Sequence, residues 1–563
     1  MPFNFKPFIT LVFTFFFNTL FCQQKYNPPL ATGLKISGGF ADVRNGTFHF
    51  GLDFSTEKKT GIPVLAINSG YLARIKVEPG GYGKALYIKH ADGTMSVYAH
   101  LQSFNDTIDS IVKEIQYNSS SFAIDYTFDK TKILVKKSDT IAFSGNSGQS
   151  TGPHLHFEIR DDKSQKPLNP LSFLKQIKDS IPPVIEKLLI YKPQKYINKL
   201  GLPYYKVTKK DTTGKPYIKV PQNFGIGIDA YDNITDSSRK FAFYEAKLFF
   251  DNILIYHMKN DSLAFDNMAS VKGIVDYNQK TNFGKVYYYM FKFPCNQSIV
   301  NKYAFHDGLI SLQDTFVHSL KVEVKDNSGN TASWITNIKA DSALNKTELK
   351  GLENYKILCH QQKEIKYKEV MLIFPSNCLF TDVLIDIKQM KPINSTLAPV
   401  VKVGDPGIPL YKAFYIYFDI KVIADSLKKK LVVVSLDENN KAYSIGGEIL
   451  NNTIKASARS FGKFSIALDT VAPKIVPFNV NKNKLLNKDS ISFEITDNLS
   501  GIEKYEVYID NKWALFEYDL KSNTIYFTNK QKKKNLFDNP EKLVITVWDK
   551  RNNYTTKQFN FAR

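Results

Sequence analysis

The stretch SGNSGQSTGPHLHFEIR, residues Ser144–Arg160, decides how the first part of this chain folds. A loop rich in Gly, Ser and Asn runs directly into a short alternating apolar segment, which we expect to be a β-strand. Alternate side chains of a strand point to the same face, so His154 and His156 should enter one site together. Three loop glycines should allow the backbone angles of a tight turn: Gly145, Gly148 and Gly152.

An aspartate and two more histidines upstream can complete such a site. The segment HFGLD, residues 49–53, separates an imidazole from a carboxylate by four positions around a glycine. The Asn-Gly turn signal at 45–46 favours a strand leaving a turn, with positions 49 and 53 facing one way. A surface histidine and a capping aspartate would be the simpler explanation if this motif stood alone. His100 ends an apolar run that can deliver it to a site, whereas His90 at a hairpin edge is expected to be structural.

Histidines are concentrated in the first part of the chain. Five of the nine lie between residues 49 and 156, and the 407 residues after 156 hold the other four. Zinc prefers tetrahedral coordination by neutral imidazole and carboxylate, and a catalytic zinc site keeps one position open. The His/Asp pair and the His pair are suited to such a site. No H-E-x-x-H sequence occurs, which excludes a mechanism based on the glutamate of that motif.

Three motifs, taken together and in order, resemble one family. They are the H-x-x-x-D of residues 49–53, the Y-x-H-L of residues 98–101 and the G-x-x-G-x-S-T-G-P-H-L-H-F-E block of residues 145–158. Over about residues 34–175 the chain resembles the lysostaphin/LytM-type zinc metallopeptidases of bacterial cell walls. The resemblance implies a zinc endopeptidase that acts on cell-wall peptides.

The resemblance also implies a role for each motif residue. One Zn²⁺ per chain would be held by three ligands: His49, Asp53 and His156. Two histidines that do not bind the metal would be catalytic: His100 and His154. One of them would act as general base and the other would hydrogen-bond the developing oxyanion, and the sequence leaves open which does which. Glu158 is expected to support its neighbours rather than to act as the base.

The rest of the chain predicts a series of β-domains. At 563 residues the chain is too long for one core, and 31 Tyr, 42 Phe and many short runs between turn residues favour strands. Two stretches share three landmarks in the same order: DSIPPVI with DTVAPKI, IDAYDN with FEITDN, and VEVKDNSGN with ITVWDKRNN. They indicate two copies of one module that resembles bacterial immunoglobulin-like domains. Asp229, Asp232 and Asn233 suggest calcium, but turn chemistry explains them more simply.

We therefore predict a mainly β, antiparallel protein, with a LytM-type peptidase domain followed by a tail of immunoglobulin-like β-sandwiches. The predicted divisions are a signal peptide over 1–22, the peptidase domain over 23–175, an immunoglobulin-like module over 176–345, a strand-rich β-domain over 346–468 and a second immunoglobulin-like module over 469–563. Residues 103–140 are expected to be an insertion, either a loop or flap beside the site or a surface excursion.

The start of the chain predicts export. Residues 7–21 form an apolar run after a weakly basic start, which suits a signal-peptide core and is short for a membrane span. A lipoprotein signal needs a small residue before Cys22, and Phe21 is large, so lipidation is disfavoured. We expect a periplasmic, envelope-associated or extracellular protein with no transmembrane segment in the mature chain.

Cysteines and charge add weaker constraints. Cys295, Cys359 and Cys378 match no zinc ribbon or redox motif. Cys359 and Cys378 could form a disulfide that leaves Cys295 odd, and free buried thiols are the alternative. The formal charge of +21 comes from scattered lysines without an arginine-rich stripe, which argues against nucleic acid. Such a surface can bind an anionic envelope or cell-wall polymer through the β-domain tail, or it is simply solvated.

The predicted function is a secreted zinc metalloendopeptidase, a peptidoglycan hydrolase that cleaves peptide cross-links. The tail would position the enzyme on the envelope or hold it in an autoinhibited state. One alternative is a catalytically inactive LytM-like regulator, although such proteins typically lack zinc ligands that this chain keeps. Another is an envelope-binding scaffold, for which no tail residue indicates a ligand. D,D cross-links, glycine bridges and non-wall proteins all stay open as substrates.

Overall fold

Strands dominate this protein. The computed structural model describes residues 26–129, 133–194, 197, 202–234, 239–345, 355–478, 480–481, 484–485, 490–528 and 541–561. The predicted signal peptide, with Cys22, lies outside these residues. Across the described ranges the named strands pair antiparallel, except Ile218–Val220 beside Thr331–Ala340. The predicted mainly β, antiparallel class is confirmed. None of the helices in those ranges has the length and apolar character that crossing a membrane requires.

The first unit, residues 26–174, contains a large sheet, a small sheet and one helix. Its strands are β1 Ile36–Gly38, β2 Leu52–Ser55, β3 Pro63–Leu65, β4 Gly70–Val77, β5 Lys84–His90, β6 Thr94–Ala99, β7 Leu101–Phe104, β8 Ile124–Thr127, β9 Leu134–Val135, β10 Thr140–Ser144, β11 His154–Asp161 and β12 Pro167–Leu168. Helix α1 spans Asp106–Ser119, and a 3-10 turn spans Pro170–Ser172. The large sheet runs β1-β2-β11-β6-β5-β4-β8, with β12 beside β11 and β9 beside β4, and β3-β10-β7 form the small sheet.

Strand β11 is central to the large sheet, and its two faces differ in chemistry. Leu155, Phe157 and Ile159 are fully buried in the core. The residues that alternate with them, including His154 and His156, therefore point to the opposite face. Because β11 pairs with β2 on one side and β6 on the other, that face also receives the side chains of those two neighbours.

Helix α1 and strand β8 occupy the segment that the sequence suggested as a loop or flap. The side chain of Asn105 caps the helix by accepting a hydrogen bond from the Ile108 amide. Ile108 and Val112 of the helix are buried, and β8 adds to the edge of the large sheet beside β4. The segment is thus a packed part of the unit, and the flap interpretation is wrong.

The second unit, residues 184–345, contains two sheets. Its strands are β13 Val184–Tyr191, β14 Tyr204–Val207, β15 Ile218–Val220, β16 Asn223–Tyr231, β17 Glu245–Phe250, β18 Ile253–Lys259, β19 Tyr288–Tyr289, β20 Asn301–Ala304, β21 Ile310–Ser311, β22 His318–Lys325 and β23 Thr331–Ala340. Its helices are α2 Lys209–Thr212 and α3 Tyr277–Phe283, with 3-10 segments at Phe265–Gly273, Phe305–Gly308 and Ser342–Asn345. The sheets run β14-β13-β16-β19, with β21 beside β16, and β15-β23-β22-β17-β18-β20. One hydrophobic core is continuous between the first and second units.

The third unit, residues 355–468, packs two five-stranded sheets. Its strands are β24 Tyr355–Ile357, β25 Lys363–Tyr367, β26 Val370–Phe374, β27 Val383–Ile385, β28 Ile387–Met390, β29 Val400–Val403, β30 Phe414–Asp419, β31 Leu431–Leu436, β32 Ala442–Ser444, β33 Glu448–Leu450, β34 Thr453–Ala458 and β35 Gly462–Leu468, and its helix is α4 Asp425–Lys428. The sheets run β25-β26-β30-β34-β33 and β28-β29-β35-β31-β32, and β24 pairs with β27.

The fourth unit, residues 469–561, has two four-stranded sheets. Its strands are β36 Lys474–Pro477, β37 Val480–Asn481, β38 Lys484–Leu485, β39 Ser490–Thr496, β40 Ile502–Ile509, β41 Lys512–Trp513, β42 Glu517–Asp519, β43 Thr524–Thr528, β44 Lys542–Asp549 and β45 Tyr554–Asn560. The sheets run β36-β39-β43-β42 and β41-β40-β44-β45, and β37 pairs with β38.

The fourth unit folds back onto the first. Lys84 Nζ lies 2.8 Å from Glu517 Oε1, and both side chains are largely buried at this contact. The ring of Trp513 meets the ring of Tyr117 on helix α1 edge-on, with centroids 5.4 Å apart. Lys521 donates a hydrogen bond to the carbonyl of Asn146 in the glycine-rich loop. The fourth unit is therefore in contact with the loop that precedes β11.

The cysteine pairing differs from the expected one. Cys295 and Cys359 form a disulfide, and Cys378 is a free, buried thiol. The possible Cys359–Cys378 bond is wrong, and the alternative of free buried thiols holds only for Cys378. The second and third units pack against each other through a shared core that contains all three cysteines. That packing brings Cys359 to a partner 64 residues away in the preceding unit.

We expect non-reducing digestion followed by mass spectrometry to recover a cross-linked peptide pair that contains Cys295 and Cys359. Replacing both residues by serine should lower the free energy of unfolding by about 2–5 kcal/mol, because the bond closes a long loop in the unfolded chain. The reduced digest is the control for the cross-linked species. A peptide pair joining Cys359 to Cys378 would contradict the observed pairing.

Candidate metal centre

Three side chains meet at one point on the polar face of the large sheet. His49 precedes β2, Asp53 lies on β2, and His156 lies on β11. His49 Nε2 and His156 Nδ1 each lie 3.0 Å from Asp53 Oδ1, and the two nitrogens lie 3.0 Å from each other. All three side chains are buried. Their donor atoms thus form a nearly equilateral triangle.

Strand register produces this triangle. His156 stands directly opposite Asp53 in the β2–β11 pair and opposite Ala99 in the β6–β11 pair. Gly51, between the histidine and the aspartate of the first motif, has no room for a side chain. A Cβ there would lie 2.3 Å from the carbonyl oxygen of Phe157. The glycine therefore lets the backbone approach β11 closely enough for His49 to reach the site.

The hydrogen bonds behind the two imidazoles set their tautomers. His49 Nδ1 lies 2.7 Å from the carbonyl oxygen of Gly39, which can only accept, so this nitrogen carries the proton. His156 Nε2 lies 2.9 Å from Glu158 Oε1 and donates to that carboxylate. In its neutral form, which metal binding requires, each ring presents an unprotonated nitrogen to the triangle, Nε2 for His49 and Nδ1 for His156.

The triangle fits a Zn²⁺ ion. Two imidazole lone pairs and a carboxylate oxygen converge without a proton between them, an arrangement that a cation stabilises. Tetrahedral zinc with bond lengths of about 2.0–2.1 Å separates neighbouring ligand atoms by about 3.3 Å, close to the observed separations. The donor set of two nitrogens and one oxygen is also one that catalytic zinc sites use.

Asp53 is held in its charged form. Arg44 donates to Asp53 Oδ2 at 2.6 Å, so the second carboxylate oxygen is directed away from the triangle. Oδ1 is left to face the two imidazoles.

His100 and His154 flank the triangle without joining it. His154 Nε2 lies 3.4 Å from Asp53 Oδ1, and the rings of His100 and His154 have centroids 4.9 Å apart. His100 Nδ1 donates to the carbonyl of Ser147 at 2.9 Å, and His154 Nδ1 donates to the carbonyl of Gly152 at 2.8 Å. In both rings Nε2 is therefore the unprotonated nitrogen.

His100 combines an unusual backbone with a neutral ring. Its φ of 59° lies in the left-handed region, which non-glycine residues rarely adopt and which is concentrated at functional sites. Burial, assisted by the neighbouring His156 and His154, lowers the pKa of His100 to about 3. The ring is thus neutral at physiological pH, with Nε2 able to accept a proton.

The glycine-rich loop positions both of these histidines through its carbonyl groups. Gly148 has φ of 69°, as a tight turn requires, and a Cβ at Gly145 would lie 2.3 Å from the amide nitrogen of Gln102. The predicted need for glycine is therefore confirmed at these two positions. At Gly152 a Cβ would meet no described atom within 4 Å, so space does not explain that glycine.

A buried polar network supports His156 from behind. Glu158 accepts hydrogen bonds from His156, from Arg160 Nε at 2.6 Å and from the hydroxyl of Tyr82. Burial opposes the charge on Glu158, but Arg160 and His156 lower the pKa of this carboxyl to about 2. Glu158 is therefore a positioning residue for His156, consistent with the supporting role expected from the sequence. Arg160 lies two positions further along the strand on the same face, so the same spacing predicts that it can reach this network. Nothing in the sequence indicates that Tyr82 belongs to it.

The site opens into a cleft of about 1780 Å³ between the first and second units. The glycine-rich loop forms one wall with residues 149–154. The opposite wall includes Arg239, Lys240 and Lys285 of the second unit, which sequence reasoning did not connect with the site. His90 lies elsewhere, bonded to Ser69 and Ser96, and is structural as predicted.

Family comparisons match two parts of the chain. Residues 47–117 and 124–170 match Peptidase family M23, and residues 354–469 match a Zu5-like domain. The M23 match includes all five site residues and helix α1 except its last two residues. The resemblance of the first unit to the lysostaphin/LytM-type metallopeptidases is confirmed.

Individual relatives match over the same region. The DD-carboxypeptidase/endopeptidase Mpg of Neisseria meningitidis serogroup B (strain ATCC 13091 / M2091) is 35% identical over 124 residues, 22% of this chain and 22% of Mpg. The peptidoglycan DD-endopeptidase ShyB of Vibrio cholerae is 32% identical over 111 residues, 20% of each chain. The solved catalytic domain of lysostaphin from Staphylococcus simulans is 29% identical, with 25% of this chain and 92% of that one covered and a TM-score of 0.18. The chain spans about a fifth of the length of these two curated relatives.

Replacing Glu158 by Gln should lower the affinity for Zn²⁺ by about 10–100-fold, because the carboxylate that orients His156 loses its charge. Competition with a chromophoric chelator measures this affinity directly. Glu438→Gln, on an exposed turn of the third unit, is the matched control and should leave the affinity unchanged. Equal zinc affinity in the wild type and Glu158→Gln would show that Glu158 does not position the site.

Proposed function

We propose that this chain is an exported zinc metalloendopeptidase that hydrolyses peptide bonds in peptidoglycan cross-links. The observation that carries the proposal is the triangle of His49, Asp53 and His156, with the unprotonated nitrogens of His100 and His154 beside it. The M23 match and the peptidoglycan DD-endopeptidase named among the relatives support the reaction and the substrate class.

In this proposal His49, Asp53 and His156 hold one Zn²⁺ per chain. Zinc in such a site supplies Lewis acidity, which activates a water molecule and polarises a peptide carbonyl. The protein contributes the geometry. Hydrogen bonds from His49 to Gly39 and from His156 to Glu158 hold both rings in the tautomer that leaves a lone pair for the metal.

His100 and His154 carry the proton chemistry. Each has Nδ1 occupied by a loop carbonyl and Nε2 free to face the cleft, so either can accept the proton of the attacking water and return it to the leaving amine. For the other ring to hydrogen-bond the oxygen on which negative charge develops, its Nε2 must also carry a proton, because the loop carbonyl already accepts the one on Nδ1. His154, with a side chain 17% exposed, is the more open of this pair to an incoming substrate.

The second unit contributes to substrate binding in this proposal. Its basic side chains face the active centre across the cleft, and the stem peptides of peptidoglycan carry carboxylates that such a wall attracts. We place the second and fourth units in the proposal as immunoglobulin-like modules, at about 176–345 and 469–563. In this proposal they hold the peptidase on the envelope, and the fourth unit also contacts the glycine-rich loop beside the active centre.

His100→Ala and His154→Ala should each keep one zinc per chain and lose about 10²–10⁴-fold in the rate of sacculus digestion, because a general acid–base group is removed without touching the metal. Asp53→Ala should lose both zinc and activity. Zinc content and the release of monomeric from cross-linked muropeptides are the two measurements.

The exposed His360 of the third unit supplies the matched control. His360→Ala should digest sacculi at the wild-type rate. Wild-type protein that binds zinc and yet leaves cross-links intact would support the inactive regulator and refute the enzyme. If His100→Ala and His154→Ala each digest sacculi at the wild-type rate, the roles assigned to these two histidines are refuted.

A further inference from the structure

The acceptor that orients His100 belongs to a loop and not to a strand. His100 Nδ1 donates to the carbonyl of Ser147 at 2.9 Å, in the connection between β10 and β11. Loops deform more readily than paired strands, so an acceptor in a loop holds a ring in place only if the loop itself is held. The contacts made by this loop therefore decide how firmly His100 is oriented.

The turn between β4 and β5, with the first residue of β5, supports the loop from one side. The amide of Lys84 donates to Ser147 Oγ at 2.9 Å. The amide of His100 donates to the carbonyl of Tyr82 in the same turn at 3.0 Å. This segment thus holds both the loop and the backbone of the histidine that the loop orients.

The fourth unit contacts the loop and the turn through the connection between β42 and β43. Lys521 in this connection donates to the carbonyl of Asn146, the residue that precedes Ser147. Its neighbour Leu520 lies against the turn, because a Cβ at Gly80 would be 3.3 Å from Leu520 Cδ1. One short connection of the fourth unit therefore touches both segments that hold His100.

An ion pair adds a second link. Lys84 Nζ lies 2.8 Å from Glu517 Oε1, with these side chains only 15% and 17% exposed. Lys84 Nζ also donates to the carbonyl of Gln102 at 3.1 Å, and Tyr526 donates to Glu517 Oε2 at 2.9 Å. A charge that loses its partner in such a place is costly, so the pair favours one position of the fourth unit against β5.

Apolar packing fastens the fourth unit independently of these polar contacts. Leu515 is 2% exposed and lies in the hydrophobic core that the first and second units share. Trp513 and Tyr518 pack against the same core. Burial of these side chains favours docking without the help of Lys521 or Glu517. Single substitutions of those two residues should therefore leave the unit in place.

The contact lies beside the cleft and does not fill it. Of the residues that the structure describes, none from the fourth unit lines the cleft. Asn146 and Gly80, which the fourth unit touches, are also not among the lining residues, whereas loop residues 149–154 are. The fourth unit therefore leaves the metal centre accessible and reaches it only through the loop.

We propose that the fourth unit is a positioning element of the active centre, in which Lys521 and Glu517 hold the loop whose Ser147 carbonyl orients His100. Lys521 acts on the loop directly, and Glu517 acts through Lys84. This inference rests on the proposed function, which assigns proton chemistry to His100. Because Lys521 and Glu517 neither line the cleft nor belong to the metal triangle, they should affect the chemical step and not zinc binding.

Steady-state kinetics of the zinc-loaded full chain on a soluble cross-linked muropeptide dimer test the proposal. Lys521→Met and Glu517→Gln should each lower kcat by about 10-fold or more, because a small displacement of a catalytic group is costly. KM and zinc content should stay at the wild-type values. Lys521→Arg, which keeps a charged donor, should retain the wild-type kcat.

Two exposed residues of the fourth unit supply the matched controls. Lys557→Met and Glu503→Gln remove the same charges away from the loop and should leave kcat unchanged. If the wild type is active and kcat is unchanged in both Lys521→Met and Glu517→Gln, the proposal is overturned. A fall in kcat that comes with loss of zinc, or that Lys521→Arg does not rescue, would overturn it as well.

A second measurement does not depend on activity. In the zinc-loaded wild type labelled with nitrogen-15 histidine, the Nδ1–H group of His100 should give an NMR signal that is absent from His100→Ala. Lys521→Met and Glu517→Gln should broaden or shift this signal and leave that of His49 unchanged. Wild-type protein that does not cleave the dimer would refute the proposed function, and the His100 signal alone then decides the positioning role. An unchanged His100 signal in both variants would overturn that role.

Discussion

The pairing of β11 between β2 and β6 is the constraint on which the candidate site depends. It sets His156 opposite Asp53 on one side and next to the end of β6 on the other, where the chain turns through His100. A shift of register by one residue would move His154 and His156 into the core and Leu155 into the cleft. The apolar face of β11, fully buried at Leu155 and Phe157, makes that shift costly, so the packing of the core specifies the position of the site.

Hydrogen bonds from outside the triangle complete the arrangement. Four imidazoles each donate one N–H group to a fixed acceptor, which is a carbonyl for three of them and Glu158 for His156. Each ring is thereby left with one lone pair of known direction. Glu158 is itself buried and needs Arg160 as a partner, because an isolated charge at this depth would be strongly destabilising. The donor geometry is therefore a property of the folded protein before any metal binds.

The candidate site could be proposed from the sequence because its residues lie in short motifs, and on the strands a spacing of two positions specifies one face. The mainly β class could be predicted from the same short alternating runs. Contacts between distant segments could not be predicted from the sequence. The partner of Cys359, the basic wall from Arg239 and Lys240, and Tyr82 beneath His156 each depend on how units pack, which leaves no periodic trace. The sequence shows the aspartates of the repeat landmarks, but the closeness of Asp179, Asp232 and Asp326 depends on how the strands pair.

The central claim is that two imidazoles and one carboxylate bind zinc while two further imidazoles stay free. X-ray absorption at the zinc edge of the zinc-loaded full chain tests it most directly. The account predicts a shell of two imidazole nitrogens with additional light-atom ligands, and the same spectrum for the His100→Ala and His154→Ala variants. A shell of three or four imidazoles in the wild type, or a spectrum that changes when either histidine is removed, would contradict it.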